Sequence, residues 1–101
     1  MDLYSVNGSL SATAENRDEL LTYLLEAAEE MKSHEPCLIY SVGIDPEDDT
    51  KVYIYEVWVD KESHQASLQL DVFRNLIAKA RPIITGMEDF PSLVIKGGKG
   101  L

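Results

Sequence analysis

An α+β fold is expected for this chain, and three observations carry that expectation. Leucines recur at helical spacing near the N-terminal third, a second segment carries a four-and-three apolar stripe, and the stretches around them alternate apolar with polar residues. The 101 residues correspond to a single domain, and a composition that is 45% hydrophobic and 27% charged suits a packed globular core rather than a disordered or fibrous chain.

Taken in order, Tyr4, Val6 and Leu10 alternate with Ser5, Asn7 and Ser9, the pattern of a half-buried strand. From Glu15 to Lys32 the period changes. Leu20, Leu21, Leu24, Leu25, Ala28 and Met31 recur at helical spacing, with Glu19, Glu26, Glu29, Glu30 and Lys32 on the other side. Thr13 or Asn16 can cap this helix, and Pro36 requires it to stop by Glu35. Leu38, Tyr40, Val42 and Ile44 alternate into the turn Asp45-Pro46-Glu47-Asp48-Asp49, and Val52 to Val59 returns as the second arm of a hairpin. Asp60 is an N-cap candidate for one helical stretch running to Ala80, whose buried stripe is Ala66, Leu70, Phe73, Ile77 and Ala80. Ile83, Ile84 and then Leu93 to Ile95 supply a last strand, with an interruption around Gly86 and Pro91. The order β-α-β-β-α-β is the split βαβ, ferredoxin-like sandwich, in which both helices cover one face of an antiparallel sheet. Residues 1–96 are read as the domain and 97–101, Gly97-Gly98-Lys99-Gly100-Leu101, as a flexible tail.

Val52, Ile54, Glu56 and Trp58 point to one face of the return strand, and Tyr53, Tyr55, Val57 and Val59 to the other. Two helices cover only one face, so the tyrosine and valine face is expected to pack on a second copy of the chain, giving a homodimer. The formal charge of −9 argues against nucleic acid and anionic membrane surfaces, because both draw affinity from clustered Lys and Arg. Residues 1–70 hold fifteen acids and four bases, and residues 71–101 three acids and five bases. No apolar run is long enough to span a bilayer, and the single cysteine, Cys37, has neither a disulfide partner nor a metal-ligand spacing. A cytoplasmic protein without bound metal is the expectation.

The segment Glu35-Pro36-Cys37-Leu38-Ile39-Tyr40, followed by Tyr55-Glu56-Val57-Trp58-Val59-Asp60-Lys61-Glu62-Ser63, resembles the antibiotic biosynthesis monooxygenase family, whose members include proteins assigned as quinol monooxygenases. Nearly the whole chain fits that layout, with Phe73 as its downstream aromatic. The resemblance implies a dimeric α+β barrel and oxidation of hydroquinone-like or polycyclic phenolic substrates by O2 without metal, flavin or other cofactor. There are departures. The helix histidine found in members five residues after the glutamate matching Glu62 is Ser67 here, and the glycine expected between Pro36 and Cys37 is missing. His64, three residues earlier on the same helical side, is the histidine available to replace it. The haem-degrading branch has tryptophan and histidine where this chain has Ser67 and Ile77, so haem degradation is disfavoured.

Cofactor-free oxygenation needs a base, an apolar cavity and aromatic walls. Glu56, set among apolar residues, is the candidate base, and His64, with an ordinary pKa near neutrality, a second acid or base. Trp58 and Tyr40 could stack a ring, Asn7 could donate to a substrate oxygen, and Ser67 stands at the same helix turn as His64. Each has a plainer alternative. Glu56 could pair with Arg74, Lys79 or Arg81, the aromatics could be core, and His64 could be an idle surface residue. The leading expectation is a monooxygenase acting on a quinol or related aromatic. The alternatives are a non-catalytic module that binds an aromatic metabolite, and an isomerase acting on a small signalling sugar; an apolar pocket favours the first two and a small polar one the third.

Overall fold

The computed structural model describes residues 2–101. Its strands are β1 (Leu3–Ala12), β2 (Cys37–Gly43), β3 (Lys51–Trp58), β4 (Ile84–Asp89) and β5 (Val94–Ile95), and its helices α1 (Arg17–Met31), α2 (Lys61–Ser67) and α3 (Asp71–Ala80). The sheet runs β2-β3-β1-β4, every neighbouring pair antiparallel, with β5 also on β1. β3 therefore lies between the two strands that α1 connects, the split βαβ arrangement expected.

The last strand is divided. β4 pairs with Gly8 to Ala12 and β5 with Leu3 and Tyr4, so the two fragments run along one edge of β1. The interruption lies between Asp89 and Val94, around Pro91, which has no N–H to give a ladder. Gly86 stays within β4 beside a register shift at Ser11 and Ala12. At Gly8 a Cβ would come within 2.5 Å of the Glu88 carbonyl oxygen, so a glycine permits the close approach of β4 there.

In α1 the buried stripe is Leu20, Leu24, Ala27 and Met31. It turns further than the leucines alone suggest, leaving Leu25 48% exposed and Ala28 half-buried. The Asn16 side chain makes no capping bond; instead the Thr13 carbonyl accepts from the backbone N–H groups of Asn16 and Arg17. The stretch from Asp60 to Ala80 is two helices rather than one. Asp60 caps α2, its carboxylate accepting from the Ser63 N–H at 2.7 Å. At the other end the Ser67 hydroxyl donates to the His64 carbonyl, the next three residues tighten into three-residue turns, and Leu70 is extended. Such side-chain bonding to a helix carbonyl competes with the regular ladder, and α3 starts afresh at Asp71.

Alternation sends Leu10, Val52, Ile54, Glu56 and Trp58 toward the helices. Two clusters form the core: Ala12, Leu20, Leu24, Val52 and Ala80 toward one end, and Ala27, Met31, Trp58 and Phe73 toward the other, with Leu76 touching both. On the outer face Ser5, Asn7 and Ser9 of β1 sit opposite Val57, Tyr55 and Tyr53. This face is less bare than expected, because Val57 is fully buried within the chain, while Tyr55 and Val59 are 37% and 39% exposed.

Candidate functional site

Glu56 occupies the middle of β3, opposite Val6 of β1 and Tyr40 of β2, and is only 8% exposed. Its position two residues before Trp58 puts both side chains on the helix side, and the Trp58 indole Nε1–H donates to Glu56 Oε1 at 2.9 Å. None of the expected cations reaches it. Lys79 lies near Glu26, and the titratable group nearest the carboxylate is a histidine: His64 Nε2 stands 3.9 Å from Oε1. That separation is too long for a hydrogen bond.

α2 brings His64 to this position because its cap at Asp60 starts the helix two residues after Trp58. The imidazole rests edge-on against Trp58, ring centres 5.5 Å apart, and tilted against Tyr4 at 5.8 Å. His34, from the turn after α1, meets Trp58 at 5.9 Å. Trp58 itself is completely buried and joins Ala27, Met31 and Phe73, so it backs the carboxylate rather than lining open space.

The open space is a cavity of about 200 Å³ between the inner sheet face and α2–α3. Glu56, His64, Ser67 and Tyr40 all border it, with Phe73, Leu76 and Ile54 supplying much of the apolar wall. Tyr40 packs on Phe73 with ring centres 5.8 Å apart. Asn7 lies at the cavity's β1 edge; its strand position faces Tyr55 on the outer side, and its carbonyl accepts from the Phe90 N–H. Residues that the sequence did not single out for this site also contribute, namely Leu68 at the helix break and Met87 and Asp89 from β4. No local signal marks Met87 and Asp89, whose place depends on where β4 docks.

The electrostatics follow from burial. Desolvation pushes the Glu56 carboxyl up to about 7, against the smaller opposing pull of the Trp58 hydrogen bond. Burial lowers the pKa of His64, so its neutral form is favoured. Burial, then the nearby Glu56, raise the Tyr40 phenol and push the Cys37 thiol up to about 11. Near neutrality the site thus offers a carboxyl on the edge of ionisation beside a neutral imidazole, in apolar surroundings. Among the described residues no group of three or more His, Cys, Asp or Glu side chains could hold a metal, and no helix is long and apolar enough to cross a membrane.

Residues 3–79, spanning β1 through α3, match the family described as antibiotic biosynthesis monooxygenase. The chain belongs to that family. A crystal structure of a candidate antibiotic biosynthesis monooxygenase from Chloroflexus aurantiacus J-10-fl is 38% identical, with 95% of each chain covered and a TM-score of 0.85. A second candidate monooxygenase, from Deinococcus radiodurans, shares the fold at 23% identity, covering 96% of this chain and 93% of its own, with a TM-score of 0.76. Among curated proteins, none matches significantly. In this monooxygenase-family chain Glu56, His64, Ser67, Tyr40 and Phe73 all lie within the matched segment, whereas Met87 and Asp89 of β4 lie beyond it.

Proposed function

We propose that this protein oxidises a quinol or related electron-rich phenol with O2, using no cofactor, and that Glu56 is the base. The observation that carries this reading is a buried carboxyl, poised near neutrality, on the wall of an apolar cavity beside a neutral histidine. Glu56 takes the proton of a substrate hydroxyl, and the resulting phenolate is electron-rich enough to pass an electron to O2. The radicals combine at a ring carbon, Glu56 returns the proton to the peroxide, and loss of water leaves a carbonyl. One oxygen atom ends in the hydroxyquinone and the other in water, with all the electrons drawn from the substrate. His64 holds or donates to a substrate oxygen, Tyr40 and Phe73 flank the ring, and Ser67 leaves space where members carry histidine. Asn7, on the outer side of β1, is left without a part in the chemistry, and Trp58 keeps the carboxylate oriented.

The apolar walls support an aromatic ligand over a small sugar. In the same reading, a second copy covers Tyr55 and Val59 on the outer sheet face. The test is oxygen uptake by the purified protein with a panel of hydroquinones and no added metal or flavin. Uptake matched by hydroxyquinone formation is expected. Saturable hydroquinone binding without uptake would instead identify a binding module and end the catalytic reading.

A further inference from the structure

A second cavity, of about 520 Å³, adjoins the one at Glu56, and Leu10, Leu76, Ile77 and Met87 line both. Alone, the inner cavity of about 200 Å³ is smaller than the roughly 300–1,000 Å³ of ordinary ligand pockets; together the two fall within that range. The outer cavity runs between α3 and β4, and its walls are apolar except for Arg81. Two large apolar residues stay open to solvent along it, Ile77 at 45% and Met87 at 68%. Arg81 is exposed and takes no part in an ion pair among the described residues, although the chain holds 18 acids against 9 Lys and Arg. It follows α3 eight residues after Phe73, about 12 Å along the helix at 1.5 Å per residue.

We propose that the site takes an elongated amphipathic quinol, its ring at Glu56, an apolar arm of about 12 Å between α3 and β4, and a terminal carboxylate held by the Arg81 guanidinium. This rests on the reading of the inner cavity as a quinol site and adds the substrate's shape and charge. A single unsubstituted ring would leave the outer groove unused and its exposed apolar wall in water. A guanidinium pairs with a planar carboxylate through two parallel hydrogen bonds, so Arg81 sets specificity for the arm's end without touching the reacting carbon. Its place at the end of α3 would also suit a cation that merely complements the helix dipole. That role predicts no dependence on ligand charge.

Calorimetry with oxidised probes separates these cases without turnover: naphthoquinone, its octyl derivative and its carboxyoctyl derivative. The octyl arm is expected to tighten binding at least about tenfold, and the carboxylate about tenfold more, each tenfold being worth about 1.4 kcal/mol. Arg81→Gln should abolish only the carboxylate increment, Arg81→Lys should keep part of it, and the octyl probe should bind both variants as it binds the parent. Equal affinity for bare and armed probes would overturn the proposal. So would a carboxylate increment that survives Arg81→Gln, or an equal loss for the octyl and carboxyoctyl probes. Tight, Arg81-dependent binding without oxygen uptake by the matching hydroquinones would uphold this inference while ending the catalytic one; uptake with no arm effect would do the reverse.

Discussion

Glu56 combines two demands that oppose each other. A base must ionise, yet burial resists ionisation, and among the described residues one indole N–H and no Lys or Arg compensates it. The cost appears as a pH dependence of stability. The unfolded carboxyl ionises near 4.5 and the folded one near 7, so the folded state holds a proton that the unfolded state has released between those values. Stability therefore falls as pH rises through this window, and the full penalty, about 3 kcal/mol at 1.36 kcal/mol per pH unit, is present above it. Glu56→Gln keeps an oxygen for Trp58 and cannot ionise. Thermal melts should find the variant more stable than the parent at about pH 8 and little different at about pH 4, below the window. A variant less stable than the parent at both pH values would show that the carboxylate serves a structural partner. Glu56 and His64 were each legible as candidates, Glu56 from its place among apolar residues and His64 from the family resemblance, but their separation depends on where α2 docks. The work of Trp58 was not, because alternation places a side chain on the inner face without deciding whether it meets the cavity or the core.

At the level of elements, the sequence predicts one helix from Asp60 to Ala80, and the chain makes two. The apolar stripe stays in phase across the break, and no Gly or Pro marks it, so periodicity alone gives no warning. The break comes from hydrogen bonding: Ser67 engages the His64 carbonyl, and Leu70 takes an extended conformation before α3 begins. The consequence is functional. α2 can set His64 beside Glu56 while α3 takes its own direction, carrying Phe73 and Leu76 to the cavity wall and Arg81 to the end of the outer groove. The fragmentation of the last strand is similar in kind. Pro91 marked its position in the sequence, but the pairing of both fragments with β1 is a long-range choice, and with it went the arrival of Met87 and Asp89 at the site.

For the whole molecule, the split βαβ topology and the family were legible, because each rests on local period or on short motifs read in order, while the second helix and the last strand each proved to be two elements. The outer face was overstated. Val57 is already buried by its own chain, leaving Tyr55 and Val59 as the apolar residues of that strand available to a second copy. Tyr55→Lys is therefore the cleaner probe of dimerisation: a surface substitution costs an isolated protomer no more than about 0.5 kcal/mol, whereas an ammonium buried between two sheets costs several. Sedimentation should find a dimer for the parent and a folded monomer for the variant, and a monomeric parent at micromolar concentration would contradict the assembly. The catalytic account converges on one carboxyl, and the rate of hydroquinone oxidation followed across pH in the parent and in Glu56→Gln tests it most directly. The account predicts a parent whose kcat/KM rises with pH to a plateau with a midpoint near 7, and a variant that is about 100-fold slower and lacks that rise. A Glu56→Gln protein with the parent's rate and the parent's midpoint would contradict it.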